Sequence, residues 1–99
     1  MGLMNGYEAK LMDYFTYFEL KDLLGFAKIC KVDKEIVKKA LLSAAMNGEN
    51  AIRSPEWEEL IVTTVENFSN LGRKERREII KLAKEIKLNN IDEKNRVKD

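Results

Sequence analysis

The stretch Leu23–Met46, LLGFAKICKVDKEIVKKALLSAAM, decides how the rest of the chain is read. Small or apolar residues at Ala27, Cys30, Val32, Val37 and Leu41 recur at the spacings by which two helices pack across a short connection. Lys31-Val32-Asp33 is that connection. The carboxylate of Asp33 can accept a hydrogen bond from a free N–H in the first helical turn, so a helix is expected to start behind it. The pattern predicts a second helix over Leu20–Cys30, with a bend before it at about residues 18–22. A third is predicted from behind Asp33 to about Met46, closed by Asn47-Gly48. On this third helix Ile36, Val37, Ala40, Leu41 and Ala44 are expected to face inward. Lys34, Glu35, Lys38, Lys39 and Leu42 are expected to face outward.

The flanks follow the same helical logic. Toward the N-terminus, Tyr7, Leu11, Tyr14, Phe15 and Phe18 recur every three or four residues, giving a first helix capped by Asn5 and an aromatic stripe for the core. Toward the C-terminus, Glu49–Arg53 is expected to be a loop. Ser54-Pro55-Glu56 then combines a capping serine, proline at the first helical position and acids in the first turn. A fourth helix is predicted over Pro55–Asn70, with Trp57, Leu60, Ile61, Val65 and Phe68 inward. The β-branched run Ile61–Val65 lowers helix propensity without removing the flanking start and stop signals. After Leu71-Gly72 a fifth helix is predicted over Arg73–Leu88, with Ile79, Leu82, Ala83 and Ile86 on one face and basic side chains on the other. Asn89-Asn90 is expected to end it. The fold class is therefore all-α, a compact bundle of about five helices with a helix-turn-helix-like central pair. Residues 1–90 are expected to form a single helical domain and 91–99 a flexible tail.

Composition narrows the function classes. At 99 residues, 44% hydrophobic and 35% charged, the chain has the makeup of one soluble globular domain, and a cytoplasmic location is expected. Uncharged apolar runs fall far short of the ~20 residues of a membrane span. Cys30 is the sole cysteine, so an intrachain disulfide is excluded, and there is no histidine. Without histidine, a nucleophile motif, a glycine-rich phosphate loop or metal-ligand spacing, no enzyme, cofactor, metal or small-molecule substrate is expected. Glu56, Glu58 and Glu59 are better explained by the helix dipole than as catalytic carboxylates. The net charge of +1 hides two poles. Glu49, Glu56, Glu58, Glu59 and Glu66 oppose Arg53 alone, while residues 73–88 carry seven basic against three acidic side chains.

Residues 27–41 resemble the helix-turn-helix of LacI-type regulators. Ala27, Val32, Val37, Ala40 and Leu41 match that pattern, Cys30 stands at its small position and Asp33 at its cap. Lys31 occupies the place of the turn glycine, and Ile36 that of the usual threonine. Residues 67–88 are similar to the C-terminal segments of small phage-type repressors, in which a final amphipathic helix often dimerises. The resemblances imply a DNA-binding transcriptional regulator, phage or mobile-element encoded. Lys31, Lys34, Lys38 and Lys39 would contact double-stranded DNA, with Arg73, Lys74, Arg77 and Lys81 of the last helix adding phosphate attraction. Two features point elsewhere: the outward face of helix three carries no Arg, Asn or Gln for bidentate base reading, and Leu42 stands exposed on it. The alternative is a non-enzymatic protein-interaction module that inhibits or adapts a host protein. A homodimer is compatible with either.

Overall fold

In the computed structural model the backbone of residues 6–97 and the side chains of residues 6–92 are described; the expected Asn5 cap and the last two tail residues lie outside them. Among these residues the chain is all-α, with five α-helices: α1 Gly6–Phe15, α2 Leu20–Ile29, α3 Lys34–Asn47, α4 Pro55–Ser69 and α5 Arg73–Val97. No helix among them is long and apolar enough to cross a membrane. Contacts group the chain into two compact units, one of Glu19–Asn70 and one made by the segments up to Phe18 and from Leu71 onward.

The unit Glu19–Asn70 is built on the α2–turn–α3 pair. Asp22 accepts from the Glu19 N–H at 3.0 Å and fixes the start of α2. Its end is a Schellman motif. The Lys31 N–H donates to the Lys28 carbonyl at 3.0 Å, and the Val32 N–H reaches back to the Ala27 carbonyl at 2.9 Å. That closure needs a left-handed residue between them, and Lys31 supplies it at φ 61°. A lysine there costs about 1–2 kcal/mol of backbone strain that glycine escapes. Lys31→Gly should therefore stabilise the fold by roughly 1 kcal/mol once glycine's own entropy cost is set against the relief. Lys31→Ala, equally strained, should not, and paired thermal melts of the two variants check this.

Asp33 caps α3 through the Glu35 N–H at 3.0 Å, as its position predicts. The inward face of α3 is turned from the expected one. Val37, Ala40 and Ser43 are buried, while Leu41 is 47% exposed. Two hydrogen bonds select this face. The buried Trp57 indole donates to the Ala40 carbonyl at 2.8 Å, and the Ser43 hydroxyl donates to Ser54 Oγ at 3.0 Å. The 49–53 stretch is part of a 3-10 helix, Gly48–Arg53, rather than an open loop. Ser54 then donates to the Ala51 carbonyl at 2.7 Å and accepts from the Trp57 N–H at 3.4 Å, starting α4. The β-branched run is helical. Its buried member is Thr64, whose hydroxyl donates to the Leu60 carbonyl at 2.7 Å, while Ile61 and Val65 are only half-buried. Asn67 Nδ2 reaches the Cys30 carbonyl at 2.9 Å and ties α4 to the end of α2.

The second unit sets α1 beside α5. Leu11, Phe15, Ile79 and Ala83 are buried, and the Phe15 and Phe18 rings meet at 5.2 Å. Lys87 lies over the Tyr17 ring at 4.4 Å and over Tyr14 at 5.6 Å. Helix α5 does not stop at Asn89-Asn90 but continues to Val97. Neither asparagine is forced into a left-handed stop, and Asn90 Nδ2 donates to the Tyr17 carbonyl at 2.8 Å, beyond the end of α1.

Candidate nucleic-acid interface

The α2–α3 turn brings lysines from three local elements to one edge. Lys28 comes from the last turn of α2, Lys31 from the connection, and Lys34 and Lys38 from successive turns of α3. All four are exposed and border a groove of about 690 Å³. Its floor is apolar, formed by Val32, Val37 and the exposed side of Leu41. Asp33 is the one acid lining it, and its carboxylate is engaged by the Glu35 N–H. The first turn of α3 also presents backbone N–H groups and the positive end of the helix dipole on this side. The edge is a cationic rim around a short apolar channel, suited to holding a polyanion.

The expected DNA-binding residues separate into three places. Lys31, Lys34 and Lys38 come together at this rim. Lys39 lies in another groove of about 310 Å³, beside Leu42, Met46 and Glu56. In the second unit Lys74, Arg77 and Lys81 line a hollow of about 360 Å³ that also takes in Tyr7, and Arg73 stands close enough to act on Tyr7 electrostatically. A hydrogen bond with Arg77 holds the Tyr7 phenol below its usual pKa, with the charges of Arg77, Arg73 and Arg76 acting in the same direction and desolvation opposing them. The Arg76 guanidinium covers the Tyr7 ring at 5.6 Å and donates to the Leu71 carbonyl.

Two of these side chains, Lys28 and Tyr7, were not among the expected DNA-binding residues. Lys28 could have been found, since it lies three residues before Lys31 in the last turn of α2. Tyr7 could not, because only the pairing of α1 with α5 sets a ring from the first helix among the arginines of the last. Cys30 is buried at the end of α2, where desolvation pushes its thiol up to about 11; it is a packing residue with no thiolate character near neutral pH. Among the described residues no group of histidine, cysteine or acidic side chains is arranged to hold a metal ion. No protein-family model, curated protein or solved structure matches the chain.

Proposed function

We propose that this protein is a small cytoplasmic DNA-binding regulator that docks on duplex DNA through the α2–α3 pair, without enzymatic activity. The observation that carries the proposal is Lys31. It holds the strained left-handed position of the turn, where glycine would be cheaper, and so keeps a charge beside Lys28, Lys34 and Lys38. Burial of Ala27, Val32, Val37 and Ala40, four of the five positions that match the LacI-type helix-turn-helix pattern, supports the same reading, whereas the fifth, Leu41, is exposed. The contacts are chiefly to phosphates, because the rim offers lysines and no Arg, Asn or Gln for bidentate base reading. The basic side of α5 is a second phosphate-attracting surface on the other unit, with Tyr7 a hydroxyl within it.

The test is an anisotropy titration with labelled duplex DNA at low and at physiological salt, with unrelated duplex as competitor. Binding that weakens steeply with salt is expected, and a preferred sequence would survive competitor. No binding at low salt, where even non-specific attraction appears, would overturn the proposal and leave the rim as the docking site of an acidic protein.

A further inference from the structure

Lys74, Arg77 and Lys81 stand three and four residues apart, so α5 sets them on one face. Like charges at these spacings repel and weaken a helix, which leaves the face short of an anion. Among the described residues none of the three is drawn into a salt bridge, and Glu78 is the one acid lining their hollow of about 360 Å³. The three cations are exposed, whereas Tyr7 and Ile80 in the same hollow are half-buried. Tyr7 contributes more than its ring. The Arg77 guanidinium can only donate, so in its hydrogen bond with Tyr7 the phenol oxygen accepts, and the phenol keeps its own proton for a further acceptor. Arg76 over the ring at 5.6 Å holds it in place.

We infer that this hollow binds a dianionic phosphate, free or as the terminal group of a small phosphomonoester, through Lys74, Arg77, Lys81 and the hydroxyl of Tyr7. The chemistry of the donors selects this occupant. A terminal phosphate carries close to two negative charges near neutral pH and three strong acceptor oxygens. Two ammonium groups, a guanidinium fork and a phenol proton match that set, and the charge-assisted bonds are the strong kind. A backbone phosphodiester has a single charge and two free oxygens, so it leaves part of the set unmatched. The inference rests on the reading of α5 as a phosphate-attracting surface and narrows it, but it needs no duplex.

The experiment is a titration of the whole chain without DNA, at constant ionic strength, followed through its backbone amide resonances. Inorganic phosphate, methyl phosphate and dimethyl phosphate are the three probes. Inorganic phosphate should give saturable shifts centred on Tyr7, Lys74, Arg77 and Lys81, with a Kd of about 1 mM. Methyl phosphate binding as tightly or tighter would mark the ligand as an ester, and weaker binding would mark it as the free ion. Dimethyl phosphate, with half the charge, should bind at least about tenfold more weakly than inorganic phosphate. Tyr7→Phe keeps the ring under Arg76 and should weaken phosphate about fivefold. Arg77→Lys keeps the charge but loses the fork, and a similar loss is expected. Shifts that never saturate, equal binding of dimethyl phosphate, equal shifts at Lys31, Lys34 and Lys38, or a Tyr7→Phe variant that binds like the parent would each overturn the inference. A chain that binds duplex but ignores free phosphate would overturn this inference alone. One that saturates with phosphate but ignores duplex would overturn the DNA reading alone.

Discussion

Trp57→Ala should lower stability by about 3–5 kcal/mol, the usual range for removing a buried aromatic side chain. Trp57 is the largest fully buried side chain, and its indole N–H is bonded to the Ala40 carbonyl. It therefore both fills the space between α3 and α4 and fixes which face of α3 turns inward. A chain of this size has a total stability of about 5–15 kcal/mol, so the variant should be partly or wholly unfolded on mild warming. Trp57→Phe keeps a ring but loses the hydrogen bond, and roughly 1–3 kcal/mol is expected. Urea unfolding followed by circular dichroism distinguishes the three proteins; tryptophan fluorescence cannot, because Trp57 is the sole tryptophan. If the alanine variant melted within about 1 kcal/mol of the parent, Trp57 would not be the residue that joins these helices.

The same contact explains what could be read in advance and what could not. Helix starts were legible because capping is local: Asp33 and Ser54 act on N–H groups two or three residues away. The turn at Lys31 was legible from the apolar pattern and from the resemblance that sets Lys31 in the place of a glycine, but its left-handed backbone was not, since lysine hides the conformation that glycine would have announced. Facing was harder. A helical wheel places the apolar Leu41 inward and leaves Ser43 off the inward face, whereas in the fold Leu41 is exposed and Ser43 is buried. Ser43 tolerates burial because Ser54, eleven residues on, accepts its proton, and Leu41 is left to line the lysine groove. The continuation of α5 has the same origin. Asn89-Asn90 looks like a stop by composition, yet the partner of Asn90 is the carbonyl of Tyr17, far back in the chain. The burial of Ser43 and the partner of Asn90 both rest on a hydrogen bond to a residue more than two helical turns away in the chain, and periodicity carries no record of such a bond.

Lys34→Ala with Lys38→Ala should weaken duplex binding roughly sixty-fold at 0.1 M salt if each lysine neutralises one phosphate, because each such contact contributes about 0.9 to the slope of log affinity against log salt. The slope itself should flatten by about 1.8, and the two proteins should converge as salt approaches 1 M. The convergence separates lost phosphate contacts from lost fold, since a destabilised protein would bind less at every salt concentration. Both lysines are exposed and lie on the rim rather than the floor, so the helical signal and thermal midpoint should stay close to those of the parent. The pair Arg77→Ala and Lys81→Ala on α5 reports on the other basic surface in the same units. An unchanged slope there beside a flattened slope for the α3 pair would assign the DNA contacts to the turn edge. Equal flattening would mean that both units contact the backbone. A parent-like slope for the α3 pair would remove the α2–α3 edge from the DNA contacts, however strongly the protein binds.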